Sequence, residues 1–215
     1  MKHLKIIILL LIIQINYAQK KIILNDSIIL NNNIKEITQK ITNFFVYQKE
    51  YNETIVSDDE DKKNTKELKS INFKKYLFWK SNGKCYVKKY DNYGEYKKIE
   101  IDNDQVLKFS EINFAIIKKE HILPYFIITN LNGKRILEQV IHPITTYSTL
   151  YLKVNKQSSL IKFDDFFITN ERIVDKKNEN VNFTRNNNLK TIQLKKICEK
   201  EINEIEKENN FILIE

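Results

Sequence analysis

The sequence predicts an α+β fold, an antiparallel β-meander flanked by an N-terminal and a C-terminal amphipathic helix. Turn signals recur through the middle of the chain, at Asn82-Gly83, Asp91-Asn92-Tyr93-Gly94 and Asn132-Gly133, and short apolar or aromatic runs lie between them. On either side of that region the apolar residues fall at helical spacing instead. Strands joined by tight turns pair antiparallel, and helices outside the meander then cover one face of the sheet.

Each element has its own local reason. Ile34, Ile37, Ile41, Phe44 and Phe45 fall at i, i+3, i+7, i+10 and i+11, one face of a helix, and Asn31–Asn33 supply N-cap candidates. Residues 52–69 carry Asp58-Asp59-Glu60-Asp61-Lys62-Lys63 and almost nothing apolar, which predicts a solvated loop. Tyr76–Trp79 and Cys85–Val87 then flank Asn82-Gly83, whose residue types accept the positive φ of a type I′ hairpin. The second turn leads into a strand ending near Ile101. The third joins Tyr125–Thr129 to Ile136–Ile141. Thr149–Val154 and Leu160–Thr169 are further strand candidates, and residues 176–188 are Asn-rich and loop-like. Leu189, Ile192, Leu194, Ile197, Cys198, Ile202 and Ile205 predict the second helix, to about Glu208. Phe211–Ile214 predicts a short closing strand.

The first eighteen residues read as an address. Lys2, His3 and Lys5 precede an unbroken apolar run, Ile6–Ile13, and Ala18 supplies a small residue before a cut. The run is short of the ~20 apolar residues that a membrane-spanning helix needs. Tyr17-Ala18-Gln19 resembles the Ala-Gln cleavage sites of AT-rich Gram-negative envelope proteins. These features predict a cleavable signal peptide over 1–18 and a single domain over 19–215, periplasmic or extracellular, with no transmembrane segment in the mature chain.

Composition narrows the function classes. The net charge is +8, yet only 3 of the 36 basic residues are arginine. Ile, Asn and Lys, all with AT-rich codons, make up 94 of the 215 residues, so the basicity follows base composition. Nucleic-acid readers lean on the bidentate arginine fork, so a nucleic-acid partner is not expected. All three glycines, Gly83, Gly94 and Gly133, sit in predicted turns. The Gly-rich dinucleotide and phosphate loops and the G-x-S-x-G elbow each need closely spaced glycines, and all are missing. H-E-x-x-H and C-x-x-C are missing too. No cofactor is expected.

Four constellations remain. Cys85 and Cys198 are candidates for a disulfide in an oxidising compartment, or for two buried thiols acting as small hydrophobes. Counting outward from Asn132-Gly133 opposes Leu123 to His142. That places His121 and His142 on one sheet face as diagonal neighbours, an acid/base or metal-seeding arrangement without an identifiable third ligand. The same counting around Asn82-Gly83 pairs Trp79 with Tyr86, Leu77 with Lys88 and Lys75 with Tyr90 on one face. Phe78, Val87 and Cys85 then point to the core, leaving Trp79, Tyr86, Tyr90, Lys75 and Lys88 either as a ligand-binding face of aromatics and lysines or with Trp79 as a core anchor past which the lysines snorkel. Lastly, Asp58–Asp61 and Asp102-Asn103-Asp104 lack the glycine of a calcium loop and read as solvated charge.

These readings point to a secreted or periplasmic non-catalytic protein, an interaction or ligand-binding module for an envelope protein or an anionic glycan. The alternative is a small envelope hydrolase using His121 or His142.

Overall fold

A computed structural model describes residues 32–54, 69–142, 146–170, 179–208 and 210–214. The signal-like segment and the acidic run Asp58–Asp61 lie outside these residues. The described elements run in the order α1 (Asn32–Thr38), β1 (Phe44–Thr54), β2 (Lys69–Ser81), β3 (Lys84–Asp91), β4 (Gly94–Glu95), β5 (Ile99–Ile101), α2 (Gln105–Ile117), β6 (Phe126–Leu131), β7 (Lys134–Gln139), β8 (Thr146–Val154), β9 (Gln157–Asp164), α3 (Phe183–Asn187) and α4 (Lys190–Lys207). A short 3₁₀ turn, Asp165–Ile168, follows β9. The fold is α+β, and every strand pair in it is antiparallel.

The main sheet has the order β4-β3-β2-β1-β8-β9, with β5 also paired to β3, while β6 and β7 form a separate two-stranded hairpin. Strand β1 is therefore central. Five successive residues in it, Phe44, Phe45, Val46, Tyr47 and Gln48, are buried. This is where the predicted N-terminal helix is too long. The helix ends at Thr38, whose hydroxyl donates to the Ile34 carbonyl at 2.8 Å, and Phe44 and Phe45 open β1 instead. A short apolar run buried on both faces has no alternation to betray it, so its residues fit a helical period by accident.

The Asn82-Gly83 turn has φ of 52° and 78°, the left-handed pair of a type I′ hairpin. Its register is the predicted one: Lys80↔Cys85, Trp79↔Tyr86, Phe78↔Val87, Leu77↔Lys88, Tyr76↔Lys89 and Lys75↔Tyr90. Asn132 and Gly133 repeat the same geometry, with φ of 51° and 75°.

One face of the sheet packs against helices. Phe45, Tyr47, Tyr76, Phe78, Cys85, Val87, Leu150, Leu152 and Phe163 share a core with Val106, Leu107, Phe114 and Ile117 of α2. Ile192, Leu194, Cys198, Ile202 and Ile205 of α4 complete it. The α4 boundaries agree with the sequence. Helix α2 was not among the predicted elements, although Val106, Leu107, Ser110, Phe114 and Ile117 make a buried helical stripe. Its start also recasts Asp102-Asn103-Asp104. The Asn103 side chain accepts from the Gln105 amide at 2.9 Å, so this segment opens a helix. The strand predicted over Leu160–Thr169 stops at Asp164, whose carboxylate accepts from the Phe166 amide and turns the chain into the 3₁₀ segment. Within the predicted 176–188 loop lies the short helix α3. The closing strand is reduced to one bridge, Tyr96↔Leu213. Among the described residues, no helix is long and apolar enough to cross a membrane.

Candidate functional site

The five residues predicted to bind a ligand lie on the sheet face opposite α2 and α4, as the hairpin register requires. That face is largely covered, as the core-anchor alternative for Trp79 has it. Trp79, Tyr90 and Lys75 are buried, and Tyr86 and Lys88 are half-buried. Phe44, Val46, Leu77 and Tyr151 alternate onto the same face and are buried with them. The sheet thus carries apolar side chains on both sides, which strand alternation alone cannot reveal.

The structure divides the five residues between two neighbouring settings. At one end, Trp79 and Lys88 line an open cleft of about 700 Å³ with Glu36, Ile37, Lys40 and Ile41 from α1 and the residues after it. Ser81, Lys97, Lys98 and Ile214 complete its lining. Trp79 stacks on Tyr86, its partner across the hairpin, with centroids 5.4 Å apart and planes at 27°. The Lys98 amine sits 4.8 Å from the Tyr86 ring centre. Lys88 is ion-paired with Glu95 at 2.8 Å. Among the described residues, Lys40, Lys97 and Lys98 have no carboxylate within ion-pair distance. The lining of the cleft therefore combines one aromatic ring, Trp79, with the amines of Lys40, Lys88, Lys97 and Lys98, and among the described residues Glu36 is its one acid; Tyr86 backs Trp79 without lining the cleft.

Further along the same face, the register lines up Tyr90, Lys75, Gln48, Thr149 and Lys162 in one row across β3, β2, β1, β8 and β9. Burial pushes the Lys75 amine down to about 8, against a smaller opposing pull from Glu50. Glu50 gathers the nearby donors, accepting from Gln48 at 2.7 Å and Lys162 at 2.6 Å. Three polar atoms in the row, Gln48 Oε1, Tyr90 Oη and Thr149 Oγ1, are buried without a hydrogen-bond partner among the described residues. Burial also raises the Tyr90 phenol, with Glu95 adding to the effect.

A second polar cluster lies on the helix-covered face, and sequence reasoning missed it. Tyr47 donates to Glu199 at 2.7 Å, and Lys195 holds both oxygens of Glu199 at 2.9 Å. Lys49 reaches Glu199 at 3.6 Å and Asp165 at 3.9 Å. Burial would raise the Glu199 carboxyl, but Lys195 and the Tyr47 hydroxyl outweigh it and hold it below the usual range. Asp165 goes the other way, because its burial outweighs Lys195. The balanced charges and complete pairing of Glu199 make this a fastening between α4 and the sheet. The one signal for it was the spacing of Lys195 and Glu199, one helical turn apart.

The histidines do not meet as the extended register implied. The β6–β7 ladder stops at Phe126↔Gln139, just short of Pro124, which has no amide to donate. His121 is exposed in the loop after α2, where its carbonyl accepts from Arg185. His142 packs on the Phe166 ring at 5.0 Å. Cys85 and Cys198 are free thiols buried in the same core, and burial raises both. Among the described residues, no group of three or more His, Cys, Asp or Glu side chains is placed to hold a metal ion. No protein-family model matches the chain, and neither does any curated protein or solved structure.

Proposed function

We propose that this protein is an exported, non-catalytic binding module whose cleft between α1 and the β2–β3 hairpin takes an anionic glycan. The observation that carries the reading is that Lys40, Lys97 and Lys98, which have no carboxylate partner among the described residues, line one cleft with Trp79, whose ring is backed by Tyr86. Sugar rings stack on aromatic faces through their C–H edges, and lysines at the rim neutralise carboxylate or sulfate groups carried on the same chain. An open cleft suits a chain running through it better than a small molecule enclosed on all sides. The basic, apolar and small-residue order of the first eighteen residues supports export.

The test uses Trp79 itself, the single tryptophan of the sequence. Titration with a soluble polyuronate should shift Trp79 emission, and the apparent affinity should fall as salt rises. A neutral glucan of similar length should have little effect. The variant Lys97→Glu/Lys98→Glu should bind about tenfold or more weakly, since it reverses two rim charges, while melting at the wild-type temperature. Emission indifferent to the polyuronate, or binding untouched by the double reversal, would remove the cleft as the site.

A further inference from the structure

The β6–β7 hairpin stands outside the main sheet, and among the described residues β6 is the only strand neighbour of β7. All six residues of β7 are exposed. Two of them, Ile136 and Leu137, are large and apolar, and Leu131 and Ile141 nearby are 60% and 82% exposed. Sheet edges are ordinarily blunted by charged side chains, proline or a bulge. The charges on β7 are Lys134, Arg135 and Glu138, which bar a partner of the wrong charge pattern but pair with a complementary one. Strand β7 has no proline, and its register runs unbroken from Leu131↔Lys134 to Phe126↔Gln139.

The turn fixes which backbone groups face outward. In a two-residue hairpin, the residues flanking the turn exchange both hydrogen bonds, and every second pair outward does the same. Leu131–Lys134 and Thr129–Ile136 are therefore the bonded pairs. Arg135 and Leu137 direct their N–H and C=O groups to the free edge.

We propose that β7 pairs antiparallel with β7 of a second copy about a two-fold axis at Ile136. A two-fold normal to the sheet keeps each residue on its own face, so opposed residues must be an even number of positions apart. Centring on Ile136 opposes Arg135 to Leu137 of the second copy, twice, which are the residues with outward backbone groups. Ile136 opposes itself at a non-hydrogen-bonded position, where side chains approach most closely. On the same face Lys134 opposes Glu138 of the second copy, again twice, so the charges are complementary. A carboxylate accepts several donors, so Glu138 takes this partner beside those it already has. The neighbouring registers are worse. Centring on Arg135 opposes two guanidinium groups, and centring on Leu137 sets Ile136 against Glu138. The inference is independent of the cleft, with which β7 shares no residue.

Sedimentation velocity on the purified protein, from low-micromolar to ~200 µM, tests it. A monomer–dimer equilibrium is expected. Lys134→Glu and Glu138→Lys should each weaken self-association about tenfold, because each sets like charges opposite one another twice. The double reversal Lys134→Glu/Glu138→Lys should recover it to within about threefold. Mild oxidation of Ile136→Cys should give a covalent dimer, whereas Arg135→Cys should not. A monomer at every concentration would overturn the proposal. So would a dimer indifferent to both single reversals, or a double reversal that fails to recover. All these side chains are exposed, and circular dichroism of each variant separates loss of pairing from loss of fold.

Discussion

Lys75 sits mid-strand in β2 with its side chain buried and its amine pushed down to about 8 by that burial. In the unfolded chain the same group titrates near 10.5. Between these values the unfolded state holds the proton and the folded state does not, so this lysine makes stability rise with pH through that window. Below about pH 8 both states are protonated and the burial penalty is at its full size. A shift of this size corresponds to on the order of 3 kcal/mol. Lys75→Met, which keeps the stem and removes the charge, is expected to be more stable than wild type at pH 7. Its advantage should shrink as pH rises from 8 to 10, which urea melts of both proteins across that range will check. The register that sets Lys75 opposite Tyr90 was legible, since the Asn82-Gly83 turn fixes it, whereas its other neighbour, Gln48, comes from β1, which the sequence did not announce as a strand. The burial of Lys75 was not legible, because the sequence of one strand does not say what lies over its second face.

At the scale of elements, α4 shows how local and distant signals combine. Its apolar stripe fixes where the helix runs, but its N-terminus has no side-chain cap of its own at Leu189. Glu120, from the loop after α2, supplies one. Its carboxylate accepts from the amides of Lys190 and Thr191 at 2.9 and 2.8 Å, and from the Thr191 hydroxyl at 2.7 Å. Free amides and the helix dipole favour a carboxylate there, so Glu120→Ala should cost about 1–2 kcal/mol. Glu120→Gln should recover part of the loss by keeping an acceptor oxygen, as chemical denaturation of the three proteins will show. Further along α4, Glu199 and Glu206 are two turns apart and accept from Tyr47 and Tyr76, which are cross-strand partners on β1 and β2. The helix is fastened to the sheet at two points, one on each of two neighbouring strands. No local pattern announces either contact, because the partners lie 152 and 130 residues away in sequence.

For the whole molecule, the helix-covered core brings together residues from β1, β2, β3, β8, β9, α2 and α4. Cys85 and Cys198 both lie in it as free thiols, and their burial disfavours the reactive thiolate. Alkylation of the native protein should therefore be slow. Intact mass after alkylation in denaturant should show two adducts, whereas a bridge between the cysteines would leave none. The same core explains why α2 escaped prediction. Its polar residues interrupt the apolar ones, and its buried stripe includes Ser110, so its amphipathic pattern is weaker than that of α4.

The sequence by itself determined what depends on neighbours along the chain. Positive-φ turns at Asn82-Gly83 and Asn132-Gly133 set the hairpins and their registers, and a 3.6-residue period set α4. Those rules act over a few residues, where sterics and backbone hydrogen bonds leave few choices. The tertiary structure alone decided which aromatics are buried, that Phe44 and Phe45 extend into the central strand, and where Trp79 and Lys88 open onto a cleft. Burial is a property of what packs across a sheet face, and for β1 that means both faces at once. A run such as Phe44–Tyr47 then fits helix or strand equally well until its neighbours β2 and β8 hydrogen-bond to it on either side.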